Sequence, residues 1–300
     1  MTQCKKLKKI NPLQLFLWTF RRNEKDVVNL YNALSDVMRL ATTGDMLNFG
    51  YWDKEIKNPI DAQIKLCKIF GRLAELETAK KIVDVGSGFS APAIQWKSQF
   101  SSLEIACLNI NFDQLKQSSQ IIKKILGNTN HDSLYGIHLL NATSNSLPFA
   151  DESFDRILVL ESAQHIKPFD IFIAESNRIL KNDGILVLAV PVVNERIATK
   201  IKLGILAMTW PSEHYTIDFI KSSITNCGLR ILEIQKIGSN VYEPLVNYYI
   251  ANRDSLKKRI LSKYPSYVEK VLFKSLLKMK QVSETNIIDY ILIKCIKKKN

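Results

Sequence analysis

Four stretches of this 300-residue chain hold residues whose types and spacing could do chemistry. The first is Asp84-Val85-Gly86-Ser87-Gly88, where a carboxylate stands two residues ahead of a glycine pair at the end of an apolar run. Glycine lets the backbone turn sharply and lets a ligand approach where a Cβ would block it. A carboxylate at that turn accepts hydrogen bonds from a ligand's ammonium group, or caps the turn's own amides, and it repels a pyrophosphate. Gly86 to Ala91 also satisfies G-x-G-x-x-G/A, a dinucleotide fingerprint that is weak alone, and Asp84 weighs against it. The second stretch, Asn109-Ile110 with Gln114, puts neutral amides where an acid usually grips a ribose diol. In the third, Glu161 to His165, an imidazole can take a proton near neutral pH and a carboxylate can orient it. The fourth holds His214 in a segment with the composition of a lid. His165 that merely packs on the next helix, and Glu161 bonded to local amides, are the structural alternatives. His131 and His138 have no chemistry-bearing neighbours.

Short β-branched runs alternate with longer helical stretches around these residues, as in a mostly parallel sheet covered by helices. The strands are expected at Lys81–Val85, Glu104–Ile110, Gly136–Asn141, Phe154–Leu160, Ile185–Val190, Leu229–Ile237 and Asn286–Ile296. Helices are expected at Asp61–Glu77, Phe112–Leu126, Pro168–Leu180 and Ile217–Cys227, each with apolar residues three and four apart. The last strand is nearly continuous in apolar residues, which suits a strand inserted within the sheet. Residues 1–60 read as a helical lid segment ahead of a domain over 61–300, and a helical insertion falls at about 241–282. Together with Val192–Tyr215 these helices could roof a pocket.

Composition excludes several classes. The net charge of +13 sits at the ends: residues 1–25 hold seven basic and one acidic residue, residues 251–300 thirteen and four, and the body between is close to neutral. A nucleic-acid groove would carry its charge across the catalytic face. The charged ends suit solvated faces or peripheral contact with an anionic membrane surface. No apolar run reaches the 18 residues of a membrane span. Five scattered cysteines without a paired spacing suit a cytoplasmic chain without a metal site.

With these motifs in view, the chain resembles the class I S-adenosylmethionine-dependent methyltransferases, especially the branch with tocopherol, sterol, ubiquinone-type and natural-product O-methyltransferases. VDVGSGFS is similar to the family's first motif, LNINFDQL to its second-strand segment, and LLNATSNSLPFADESFDRILVLESAQHI to its most recognisable stretch. The resemblance implies an α/β, Rossmann-like, seven-stranded mostly parallel sheet with helices on both faces and a helical lid. It also implies S-adenosylmethionine as cofactor, with Asp84, Gly86, Ser87 and Gly88 lining its methionine part. Asn109, Ile110 and Gln114 would then face ribose and adenine, Asn141, Ala142 and Thr143 the adenine edge, and Leu160 the end of the fourth strand. Tyr51 and Gln63, in a segment similar to the branch's amino-terminal cover, are implied as pocket lining, with anchoring of that segment as the alternative for Tyr51. Ser90 stands where many members have a third glycine, and Asn109 and Asn141 where acids are usual.

The activity this resemblance implies is methyl transfer to oxygen or carbon of a small or prenyl-lipid substrate, with His165 as leading base or orienting residue, then Glu161 and His214. A cofactor-binding scaffold without catalysis is the alternative, and a nicotinamide-dependent oxidoreductase a weaker one. An Asn-Pro-Pro-Tyr element is missing after the fourth strand, where Leu160-Glu161-Ser162-Ala163 stands, which disfavours nucleic-acid bases as substrate.

Overall fold

The computed structural model describes residues 10–18, 20, 22–127, 136–195, 199–210 and 212–298; His131 and the lysines of residues 1–9 lie outside them. Seven strands form one sheet: β1 (Lys81–Val85), β2 (Glu104–Asn109), β3 (Ile137–Asn141), β4 (Phe154–Leu160), β5 (Leu180–Val193), β6 (Leu229–Lys236) and β7 (Ile288–Lys297). Their spatial order is β3-β2-β1-β4-β5-β7-β6. The first five run parallel, and β7 is antiparallel to both β5 and β6. The chain steps outward from β1 through β2 to β3 and then crosses back to β4, so strand order reverses between β1 and β4. In such sheets the crevice at the carboxyl ends of the strands flanking that reversal is where ligands bind.

Both faces of the sheet's inner strands are covered, and for that reason β1, β4, β7 and the later part of β5 read as continuous apolar runs, whereas the edge strands β3 and β6 are partly exposed. Ile82, Leu158, Leu160, Tyr290 and Leu292 point into one buried cluster, with Leu66, Phe70 and Trp96 from α3 (Pro59–Leu73) and α4 (Ala91–Gln99). Val83, Val85, Ile157, Val159, Ile291 and Ile293 point into the other, with Phe172 and Ile220 from α6 (Phe169–Ile179) and α9 (Ile217–Asn226). Helix α5 (Phe112–Leu126) packs on β2 and β3. The insertion of β7 between β5 and β6 matches its apolar sequence. β5 starts five residues early, because Leu180 pairs with Phe154 before the register jumps to Ile185 opposite Arg156. Asp183, at φ +59°, and Gly184 absorb that jump as an irregularity within the strand.

A third buried cluster belongs to a helical roof. It is built from α1 (Pro12–Trp18), α2 (Glu24–Thr42), α10 (Tyr242–Ala251), α11 (Arg253–Leu261) and α12 (Ser266–Glu284). Two short helices, α7 (Thr199–Leu203) and α8 (Leu206–Thr209), join it to the end of β5. The lid segment and the late insertion thus form one body. No helix among the described residues is long and apolar enough to cross a membrane.

Candidate active site

Helix α2 lies across the carboxyl ends of the strands and closes the crevice between β1 and β4. It is tied down by the Asn111 amide donating to Asn32 Oδ1 at 2.8 Å, by Gln114 Nε2 donating to Ser35 Oγ at 3.2 Å, and by Arg39 over the Phe89 ring at 4.8 Å. A hydrogen bond of 3.0 Å joins the Tyr31 hydroxyl to His165 Nε2. Beneath the helix is one continuous cavity of about 380 Å³. Its floor is Asp84 to Phe89, Leu108 to Asn111, and Leu160 to Ser162. Its far walls are apolar residues of α2, α10 and α12, among them Val27, Leu34, Tyr249, Leu272, Leu276 and Met279.

The floor is shaped by two glycines in the left-handed region, for different reasons. Gly86 has φ +75°, and a Cβ on it would sit 2.3 Å from the Ser162 Cβ, where β4 runs out against the turn. Gly88 has φ +56°, and within 4 Å its Cβ would meet only Leu47 Cδ1, at 3.8 Å. The turn is therefore pressed from behind and open in front. The Gly86 and Ser87 amides both donate to the Leu108 carbonyl, at 2.7 and 3.2 Å, which binds the turn to β2 and withdraws those amides from any phosphate. Ser90 explains why glycine is common at its position: it is buried at φ +57°, a left-handed conformation that costs a side chain about 1 kcal/mol.

Asp84 is buried at the base of the turn, and its Oδ2 has no hydrogen-bond partner among the described residues. Desolvation pushes its carboxyl up to about 7. Asn48 Oδ1 and Gln164 Oε1, also on the cavity wall, are likewise buried acceptors without donors there. An orphaned buried acceptor is costly. Three of them in the lining of one cavity call for a ligand rich in N–H donors and positive charge. Glu161 follows β4 at φ +55° and accepts from the Phe49 amide at 2.9 Å and the Tyr290 hydroxyl at 2.8 Å. Burial still outweighs these bonds and raises its carboxyl to about 8. Burial, with the Arg22 charge second, lowers His165 to about 4, so its ring is neutral near pH 7.

The structure brings Asp84, Gly86, Ser87, Gly88, Asn109, Ile110, Gln114, Leu160, Glu161 and His165 to this one cavity. Asn109 is already busy there: its amide donates to the Gly88 carbonyl at 3.1 Å and to Gln114 Oε1 at 2.9 Å, and its Oδ1 accepts from the Asn111 amide. A carboxylate could make neither donation, which accounts for Asn in place of an acid.

Six expected residues stand off the cavity wall, each for a local reason. Asn141 is exposed at the end of β3, and its amide donates to the carbonyls of Asn109 and Ile110, at 2.8 and 3.0 Å. Ala142 packs against the buried core, and Thr143 bonds to Glu24 at the start of α2. Ser144 and Asn111 are on the wall instead. Gln63 is buried behind it, where its amide donates to the carbonyls of Met46 and Asn48 and holds that wall segment in place. Tyr51 donates its amide to the Ala62 carbonyl and anchors the same segment on α3. His214 is buried at φ +50°, with Nδ1 bonded to Ser212 Oγ at 2.8 Å; its neighbour Trp210 reaches the cavity. Among the described residues no cluster of His, Cys, Asp and Glu is arranged to hold a metal ion.

Residues 83–188, from β1 through most of β5, match the family model of the methyltransferase domain. Erythromycin 3''-O-methyltransferase of Saccharopolyspora erythraea is 23% identical over 273 residues, 85% of this chain and 86% of the relative. Among solved structures, the cyclopropane synthase MmaA2 of Mycobacterium tuberculosis superposes with a TM-score of 0.78 at 18% identity, covering 93% of this chain and 99% of that one. Mycolic acid cyclopropane synthase CmaA1, complexed with SAH and CTAB, gives 0.75 at 18% identity over 90% and 95% of the two chains. With the glycine turn, the reversal of strand order and these likenesses together, residues 83–188 form a methyltransferase domain, and over most of its length the chain is similar to S-adenosylmethionine-dependent methyltransferases. It is a transferase, and S-adenosylmethionine is its cofactor.

The donor set fits that cofactor. An unpaired carboxylate and two orphaned amide oxygens match an ammonium group, and the open glycine turn leaves room for the chain that carries it.

Proposed function

We propose that this enzyme methylates oxygen or carbon on a small, largely apolar, lipid-like molecule held under the helical roof. One observation carries the reading: the cavity that begins at Asp84 and Gly88 continues without a break into apolar side chains of α2, α10 and α12, and His165 stands on its wall. Asp84, Asn48 and Gln164 would hold the methionine end of the cofactor, and Gly86, Ser87 and Gly88 would cradle it. Ile110, Asn111, Gln114 and Ser144 would border the nucleoside. Bound there, the cofactor supplies an electrophilic methyl group on a sulfonium.

The chain's own residues do the rest. Helix α2 shuts water out of the crevice, and positioning together with that exclusion lowers the barrier of an in-line displacement. His165, neutral and bonded to Tyr31, takes the proton of an acceptor hydroxyl, directly or by way of the Tyr31 hydroxyl, which passes its own proton to Nε2. Glu161, protonated near pH 7 by burial, stays fixed to Phe49 and Tyr290 and shapes the wall beside the reacting atoms. The basic chain ends extend the reading to peripheral contact with an anionic membrane surface. Cys67, Cys107, Cys227 and Cys295 are free thiols, in keeping with a cytoplasmic location.

The test is incubation of the protein with methyl-labelled cofactor and a lipid extract. Label should pass to an extractable product with the parent protein and not with His165→Ala, while calorimetry shows both proteins binding S-adenosylhomocysteine equally. Label that stays only in water-soluble polar products would overturn the lipid-like substrate, and equal transfer by His165→Ala would remove its role as base.

A further inference from the structure

Helix α12 has two faces in different company. Val268, Val271, Leu272, Ser275, Leu276 and Met279 line the cavity. At 3.6 residues per turn, Lys270, Lys274 and Leu277 fall on the opposite side, and Lys278, one turn beyond Lys274, lies on the flank between that side and the cavity face. Lys270, Lys274 and Leu277 are exposed, and Lys278 is half-buried. The acids of this helix are engaged elsewhere. Glu269 is buried against Arg253 at 2.9 Å, and Glu284 faces Lys280. The three lysines therefore have no acidic partner among the described residues, and Lys278 donates only to Gln281.

The lysine stripe ends beside an apolar rim. Lys278 Cε lies 3.6 Å from where a Cβ on Gly204 would stand, at the end of α7. Helix α7 presents Ile201, which is 84% exposed. Helices α7, α1 and α12 all pack on the four-residue α8, and the Tyr267 hydroxyl of α12 donates to the Ile10 carbonyl just ahead of α1 at 2.7 Å. From the α1 side come Leu13 at 62%, Phe16 at 49% and Phe20 at 64% exposure, the two rings 5.2 Å apart edge to face. On their inner sides α8 and α12 are cavity walls, through Leu206, Thr209 and the α12 residues above.

Basic side chains beside exposed aromatic and aliphatic ones suit a surface that is anionic on the outside and apolar just beneath. We infer that the outer face of α12, with the α1 and α7 rim, docks on an anionic lipid bilayer and brings the cavity wall to the source of its substrate. The inference rests on the lipid-like reading of the substrate. Lys270, Lys274 and Lys278 meet headgroups, and Phe16, Phe20 and Ile201 enter the boundary between headgroup and acyl chain. Bare polyanion binding would use the lysines and leave the apolar rim without a role.

The full chain is floated with vesicles of phosphatidylcholine alone and of phosphatidylcholine with phosphatidylglycerol. Binding is expected to the anionic vesicles only, with salt weakening it. Each lysine near such a surface contributes roughly fivefold to partitioning. Combined Lys270→Glu, Lys274→Glu and Lys278→Glu should therefore lower it on the order of a hundredfold, and Ile201→Asp should lower it with the lysines intact. Both variants should bind S-adenosylhomocysteine as the parent does, which shows that they are folded. No vesicle binding, equal binding to both compositions, undiminished binding by the lysine variant, or lysine-dependent binding to single-stranded RNA alone would overturn the inference. Methylation of detergent-dispersed lipid without vesicle binding would sink the docking surface and leave the proposed function standing. Vesicle binding without any lipid methylation would do the reverse.

Discussion

Replacing Asp84 with Asn separates two consequences of burying an acid beneath the glycine turn. Desolvation holds the Asp84 carboxyl at about 7, against an ordinary 3.8. A carboxyl with its folded pKa above its unfolded one stabilises the fold only while protonated, so stability is present below about pH 4 and is lost as pH rises to about 7. At about 1.4 kcal/mol per pH unit, that span amounts to roughly 4 kcal/mol. About 3 kcal/mol of it falls between about pH 5 and about pH 8. Asn does not titrate, so the variant should gain on the parent by that amount between the two pH values. At roughly 2 °C per kcal/mol for a chain this long, the advantage in Tm should grow by about 5 °C. The fixed cost of burying an amide is the same at both pH values and drops out. Cofactor binding moves the other way: loss of a charge-assisted hydrogen bond worth roughly 1.5–3 kcal/mol weakens affinity ten- to a hundredfold. Melting at the two pH values without cofactor, and calorimetric titration with S-adenosylhomocysteine, measure both effects. An advantage in Tm that is the same at both pH values, or unchanged cofactor affinity, would refute the assignment of Asp84 as a desolvated acid kept for its ligand.

Gly86→Ala should destabilise the protein by roughly 2–4 kcal/mol, because the new Cβ meets Ser162 at 2.3 Å on a left-handed backbone. Gly88→Ala should melt within about 1 kcal/mol of the parent yet bind cofactor more weakly; thermal melts and calorimetry distinguish the two glycines. His165→Ala should lower kcat by about a hundredfold or more with cofactor affinity unchanged, and Tyr31→Phe by about tenfold. Because His165 is held near 4 and Asp84 near 7, the acid limb of the parent's kcat/KM profile should fall closer to 7 than to 4. Leu276→Trp, at the apolar end of the cavity, should raise KM for the acceptor and leave S-adenosylhomocysteine binding unaltered.

Much of the fold was legible because its elements announce themselves locally. The apolar runs of β1, β4 and β7 alternate between two buried faces, and the Asp84 to Gly88 turn combines a carboxylate with left-handed glycines that no ordinary strand-to-helix connection needs. Tyr31 was legible only as an apolar helix position, since Val27, Leu30 and Leu34 share its spacing and nothing in the order of residues tells a core tyrosine from one that meets a histidine 134 residues later. Gln63 and Tyr51 stand off the cavity for the converse reason: they serve the Met46 to Phe49 segment from behind, and it is that segment that faces the ligand side. The Asn109 and Asn141 exchanges looked like losses of charge. In the fold they are gains of donors, aimed at the carbonyls of Gly88, Asn109 and Ile110.

By itself the order of residues determined the strands, the glycine turn and the class of chemistry, because each rests on backbone preferences and side-chain types within a few positions of one another. Only the tertiary structure decided which side chains share a cavity, that the first and last helices close over it together, and that Asp84 Oδ2 is left without a donor among the described residues. Those outcomes depend on long-range packing: burial raises or lowers a proton affinity and orphans an acceptor only once distant parts of the chain have removed the water.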